Sequence, residues 1–366
     1  MDTATQVKKM ACVIGGSGNL ASMLINSLLH KGYAVNTTVR DPDNEKKTGH
    51  LKALHQLGDL KIFKGDLTDE GCFDAPIAGC HFVFHVATPI NFDAQDPENE
   101  MIKPAVQGAL NVLKSCVKSK SVKRVIYTSS AAAVSINKLS ETGVVLDEND
   151  WTDVEYLTSE RPPTWGYPVS KALSEKAAWK FAQDNNIDLI AVVPVLLCGP
   201  SRLPEPPHSI HLSMSLITRN AVILSDIAAS GITQLVYKQA IQRLCVCAGN
   251  ENKLKGLIGM QLISGSISIV HVEDVCEAHI FLAEKETASG RYICCAVNTS
   301  VPELAKFLSK RYPQYQVPTE FEGVPSKPKL MISSEKLVRE GFSFKYGIEE
   351  IYDSTVEYCK STGTLN

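Results

Sequence analysis

The sequence predicts an α/β protein: a doubly wound parallel Rossmann sheet with a smaller C-terminal lobe. Three observations carry this. Short apolar, β-branched runs alternate with helically patterned stretches through the first half of the chain. A glycine cluster, GGSGNLA at 15–21, stands between the first run and the first helix. A proline-rich run after residue 194 (Pro200, Pro204, Pro206, Pro207) then breaks the alternation.

The elements follow in order. Met10–Ile14 is apolar and ends in glycine, as a buried strand before a turn does. Asn19–His30 carries apolar residues three and four apart, and Gly32 stops it. Further strands are expected at Ala34–Val39, 60–63, 81–86, 123–128 and 189–193, with long helices at 97–119 and 167–183. Right-handed crossovers between these strands give the doubly wound topology. The expected division is a nucleotide-binding domain at 1–194 and a substrate-binding lobe at 195–366. In the lobe a strand is expected at 266–271, and helices at 273–285, 302–311 and 348–359.

Composition narrows the function classes. Of 366 residues, 44% are hydrophobic and 21% charged, which excludes disordered, collagen-like and disulfide-scaffold chains. With 37 basic against 40 acidic residues, the net charge of −3 gives no global attraction to nucleic acid or an anionic membrane. No apolar run reaches membrane-spanning length, and the N-terminus has no signal-like apolar region. The 11 cysteines form no CxxC pair and read as reduced thiols of a cytoplasmic protein. His271, Glu273, Asp274 and His279 lack the spacing of a metal site, so no metal is expected. The expected partner is a small molecule, and the chain a monomer or weak homo-oligomer.

The glycine cluster has the pattern GxxGxxA. Gly15 permits a tight turn, Gly18 lets backbone approach a pyrophosphate, and Ala21 lets the helix pack on the strand. Asn19 and Leu20 open the helix, whose N-terminus suits phosphate. At the tip of the second strand, Arg40 replaces the acidic residue that would hold a free ribose hydroxyl. It can meet a 2′-phosphate bidentately, with Lys46 or Lys47 adding charge, and so favours NADP(H). Asp66 and Leu67 follow the third strand, at adenine. Val86 and Thr88 follow the fourth, near the cofactor's centre.

Tyr167 and Lys171 form a YxxxK motif, one turn apart on a helix face. An ammonium beside a phenol is expected to lower its pKa and make it a usable proton carrier. The fifth strand ends in Thr128, Ser129 and Ser130, which brings a hydroxyl near the tyrosine. Phosphate loop, strand-end serine and YxxxK, in that order, point to a nicotinamide oxidoreductase.

With these motifs the sequence resembles the extended short-chain dehydrogenase/reductases, within them the dihydroflavonol reductase-like group. The stretches NTTVRDPDN, GDLKIFKGDLTDE, SVKRVIYTSSAAAVSIN, PPTWGYPVSKALSEKAAWKFA and ASGRYICCAVNTSVPELAKFLSKRYPQY carry the resemblance. It implies a catalytic triad of Ser130, Tyr167 and Lys171. It also implies NADPH contacts at Gly15, Gly18, Arg40, Lys47, Asp66, Leu67, Val86, Thr88, Tyr167, Lys171 and Pro194. The TWGY before the motif lysine differs from the GWMYFVSK of dihydroflavonol reductases and the NWYCYGK of cinnamoyl-CoA reductases. The implied activity is NADPH-dependent reduction of a flavonoid, an anthocyanidin to a flavan-3-ol. The alternatives are a dihydroflavonol or cinnamoyl-CoA type carbonyl reductase, or a catalytically impaired NADPH-binding protein.

Two departures stand out. Asn19 replaces an aromatic residue usual in the family's phosphate loop. At 221–249 an apolar stretch interrupts the resemblance, patterned as a helix only around 233–244. Its tail, LCVCAG, back-translates to a string like the 3′ end of an intron. The stretch reads as a splice insertion, with a lid over the substrate as the alternative.

Overall fold

Buried apolar strands and amphipathic helices alternate in the computed structural model, which describes residues 8–137, 142–218 and 250–365. The 221–249 stretch, with its suggested helix, lies outside the described residues. The strands are β1 (Met10–Ile14), β2 (Ala34–Val39), β3 (Leu60–Lys64), β4 (Phe82–His85), β5 (Arg124–Thr128) and β6 (Val144–Leu146). They continue with β7 (Leu189–Pro194), β8 (Leu196–Cys198), β9 (Ile267–His271), β10 (Gly290–Cys294), β11 (Val297–Thr299) and β12 (Leu330–Ile332). The first helices are α1 (Asn19–His30), α2 (Glu45–Lys52), α3 (Asp74–Ile77), α4 (Lys103–Ser119), α5 (Val154–Glu160) and α6 (Gly166–Asp184). After them come α7 (His208–Ser213), α8 (Asn250–Ser264), α9 (Val272–Glu284), α10 (Val301–Arg311), α11 (Glu335–Arg339) and α12 (Ile348–Ser361).

Seven strands form one sheet in the order β10-β7-β5-β4-β1-β2-β3, with every pairing parallel. Parallel strands buried on both faces need apolar residues at successive positions. Along β1, Ala11 and Val13 face one core while Cys12 and Ile14 face the other. α1 and α9 cover the first face through Leu24, Leu28 and Val275. α3, α4 and α6 cover the second through Ile77, Val112 and Ala178. The strand order reverses between β1 and β4, so a crevice opens at their C-terminal ends.

The structure corrects the sequence reading in places. The helix expected from residue 97 begins as a π-turn over Glu98–Ile102, and the regular helix starts at Lys103 with Pro104 in its first turn. Proline has no N–H to donate, so it sits where none is needed. The short parallel pair β6–β12 was not foreseen, nor was β10. Through β10 and α9, residues beyond 195 supply the seventh strand and a covering helix of the nucleotide-binding sheet. The remaining C-terminal elements enclose their own core, which includes Leu212, Leu257, Ile269, Leu304 and Tyr352. His271 stacks on Tyr346 at 3.7 Å, and Asp274 accepts the backbone N–H groups of Lys345 and Tyr346. The described cysteines are free thiols. No helix among the described residues is long and apolar enough to cross a membrane.

One buried ion pair ties β10 to the middle of the fold. Glu175 of α6 is fully buried and accepts from Arg291 Nε at 2.7 Å and Nη2 at 3.3 Å. It also accepts from Ser129 Oγ and from Trp179 Nε1. Arg291 gives Nη1 to the carbonyls of Glu148 and Asp150, each at 2.8 Å, and stacks 3.8 Å from the Trp151 ring. Removing one partner of such a pair leaves an uncompensated buried charge. Glu175→Gln should therefore lower unfolding stability by about 3 kcal/mol in urea denaturation, and adding Arg291→Met should recover part of the loss; an unchanged midpoint for the single variant would refute this.

Candidate active site

The turn after β1 is built for close backbone approach. Gly15 has φ +90°, and a Cβ there would lie 2.7 Å from the Ala87 Cβ. Gly16 is equally restricted, because its Cβ would meet Thr37 Oγ1 at 2.2 Å. Gly18 caps α1 with no side-chain hydrogen bond, and the first turn of α1 holds no acidic residue. The helix thus presents unneutralised N–H groups to the crevice, which fits a pyrophosphate.

Every predicted site residue except Lys46 and Lys47 lines one continuous cavity of about 1740 Å³. Lys47 sits on the surface of α2, its backbone N–H taken by the Asn44 side chain. Its neighbour Lys46 pairs with exposed Glu205 at 3.4 Å. Arg40 is exposed at the rim. Asp66 is held below the usual carboxylate range by the Thr68 N–H and hydroxyl, with Arg40 adding to it. At the opening of α1, Asn19 Oδ1 is buried and has no hydrogen-bond partner among the described residues.

Lys171 is the most constrained of the catalytic candidates. Its Nζ donates to Thr128 O at 2.8 Å and to Thr88 Oγ1 at 3.2 Å, and lies 5.5 Å from the Tyr127 ring centroid. Burial lowers its pKa to about 8, while the Glu175 carboxylate one turn away pulls it back up. Thr128 is itself held from behind. Its hydroxyl meets His279 Nε2 at 2.8 Å, and His279 Nδ1 lies 2.7 Å from Val275 O. A carbonyl only accepts, so Nδ1 carries the proton and Nε2 accepts from Thr128. Burial holds this imidazole neutral, with a pKa of about 4.

Tyr167 departs from expectation. Burial pushes its phenol above the ordinary value, and the Ser130 hydroxyl, hydrogen-bonded to it, opposes only part of that. The ammonium expected to acidify it instead points to Thr88 and Thr128. The phenol is therefore protonated at neutral pH. Ser130 also accepts the Ala132 N–H at 3.2 Å, which fixes its hydroxyl oxygen at the end of β5.

Beyond Tyr167 the structure adds residues that sequence reasoning missed. Thr164, just before the catalytic helix, has φ +62°, a conformation strained for a β-branched residue. Phe92 stands edge-on to the Tyr167 ring at 5.4 Å and 5.2 Å from the His208 ring. Glu175 could have been found, because it extends YxxxK by one further turn on the same helix face. Phe92 and His208 had no such signal, being far apart in sequence.

The chain is similar to several known proteins. The model of the NAD dependent epimerase/dehydratase family matches residues 11–227. An anthocyanidin reductase ((2S)-flavan-3-ol-forming) from Vitis vinifera is 64% identical over 358 residues, spanning 98% of this chain and 97% of the relative. An anthocyanidin reductase from Arabidopsis thaliana is 59% identical over 357 residues, spanning 98% and 96%. Among solved structures, vestitone reductase from alfalfa (Medicago sativa) has a TM-score of 0.76 at 36% identity, with 98% of this chain and 100% of that one covered. With the nucleotide turn, the strand-end serine and the tyrosine–lysine helix sharing one cavity, the chain belongs to the NAD-dependent epimerase/dehydratase family, among the anthocyanidin reductase-like oxidoreductases of the extended short-chain dehydrogenase/reductase group.

Proposed function

We propose that the protein reduces an anthocyanidin to a flavan-3-ol with two equivalents of NADPH. The observation that carries the reading is the convergence of Ser130, Tyr167 and Lys171 on the cavity that the uncapped N-terminus of α1 opens into. The anthocyanidin reductases among its relatives support the substrate class. Arg40 at the rim favours the 2′-phosphate of NADPH over a free ribose hydroxyl.

NADPH, when bound, supplies hydride. Two hydrides and one proton convert the flavylium cation to a neutral flavan-3-ol. Tyr167 holds its proton at Oη, because burial raises its pKa, and is positioned to give it to the substrate. Ser130 orients a substrate oxygen beside that hydroxyl. Lys171, fixed by Thr128 and Thr88, would hold the ribose of a bound nicotinamide and keep positive charge near it. Apolar cavity walls, including Leu196 and Met260, keep water away from the reacting face.

Oxidation of NADPH with cyanidin, and not with dihydroquercetin, tests the reading against a carbonyl reductase. Tyr167→Phe should lose about 10²- to 10⁴-fold in turnover while NADPH still quenches protein fluorescence with unchanged affinity. Full activity in that variant would remove Tyr167 from the chemistry. Arg40→Ala should weaken NADPH binding about tenfold or more and leave NADH binding unchanged. Lys171 is charged below about pH 8 and neutral above it, so the NADPH dissociation constant should rise between pH 7 and 9. A pH-independent constant across that range would contradict the titration.

A further inference from the structure

We propose that Phe92, His208 and Lys253 form a phenol-binding subsite, where a flat hydroxylated ring of the substrate lies on Phe92 and one of its ring oxygens, protonated or not, hydrogen-bonds the His208 imidazole, with Lys253 favouring the electron-rich, deprotonated form of the ring. This names the recognition chemistry of the same site and rests on the reduction proposed above.

The geometry is specific. Phe92 is a large apolar side chain left 38% exposed, and it lines the cavity. An exposed phenylalanine on a loop would ordinarily move freely. Here its ring is held from two sides, by Tyr167 edge-on at 60° and by His208 tilted at 36°. A planar aromatic ligand seated against it would therefore lie beside the Tyr167 ring. Edge-to-face and offset contacts of this kind favour aromatic over aliphatic rings.

The polar side of the subsite comes from a different element. His208 opens α7 and lines the cavity together with Lys253 of α8 and Asp93, the residue after Phe92. Burial first, and then Lys253, holds the imidazole below its ordinary pKa, with Asp93 opposing them; His211 feels both Lys253 and His208. The imidazole is thus neutral at pH 7, so one ring nitrogen can accept from a phenolic hydroxyl and the other can donate to a deprotonated ring oxygen. The Lys253 ammonium, only partly offset by Asp93, opposes a flavylium cation and favours its neutral quinoid form, which has lost one phenolic proton. Reduction of that form takes up two hydrides and two protons, so the proton released on binding is returned to the product.

The test uses quercetin, a flat polyphenol that is not reduced, titrated into the NADP⁺-loaded full chain and read by fluorescence quenching. Phe92→Ala and His208→Leu should each weaken quercetin binding about fivefold or more, and Lys253→Met about threefold, with NADPH affinity and thermal midpoint unchanged. His208→Asn, which keeps a hydrogen-bonding group, should recover most of the loss. Quercetin affinities equal to wild type in Phe92→Ala and His208→Leu would overturn the subsite, even if cyanidin is turned over. A wild-type protein that binds quercetin through these residues but never oxidises NADPH with an anthocyanidin would leave the subsite standing and defeat the proposed reaction instead.

Discussion

The buried pair of Glu175 and Arg291 is the interaction on which the site depends. It joins elements that carry chemistry without touching the reacting atoms itself. Glu175 lies one turn beyond Lys171 on α6, and it takes a hydrogen bond from Ser129, the residue before Ser130. Arg291 brings in the outermost strand of the sheet and the loop at 148–151. A buried charge pair gives little net stability, but losing one half of it is costly. The helix with Tyr167 and Lys171 and the strand end with Ser130 are thus locked in one relative position.

The same carboxylate shapes the electrostatics. Burial acts on Tyr167 and Lys171 in the same sense, towards the uncharged form of each. For the phenol this suits the proposed role of proton donor, which must hold its proton. For the amine it is a loss, and Glu175 works against it. Thr128 couples this arrangement to α9, because its carbonyl receives Lys171 while its hydroxyl rests on His279. The Lys171 ammonium is therefore anchored by neutral groups, with one buried anion a turn behind it.

Much of this was legible in the sequence, for identifiable reasons. The bounds of β1 and β2 could be read directly, because strands covered on both faces are dominated by apolar or β-branched residues, Asn36 of β2 aside, and these end at glycine or a charge. The glycine turn and YxxxK were legible because each is a local pattern with one geometric use. β10 was hidden by Arg291, whose charge reads as surface although it is buried against Glu175. β6 and β12 are too short to show a period. Lys47 was chosen for its charge, and it stands exposed on α2, outside the cavity lining, where its backbone is tied to Asn44. The expectation that Lys171 acidifies Tyr167 assumed that residues one turn apart face each other. The stronger acceptors at the ends of β4 and β5 draw the ammonium aside. Phe92 and His208 meet only through the tertiary fold, which no spacing rule reports.

The placement of β10 has a consequence for biosynthesis. The strand at the edge of the nucleotide-binding sheet is made almost last, after nearly 300 residues have left the ribosome. Until it docks, β7 presents an open row of backbone donors and acceptors, and Glu175 has no arginine to meet it. A nascent chain can form the glycine turn early, but its proton-handling centre is completed only when the distant C-terminal segment arrives. Truncation short of residue 294 would therefore leave an incomplete catalytic half rather than a self-sufficient one.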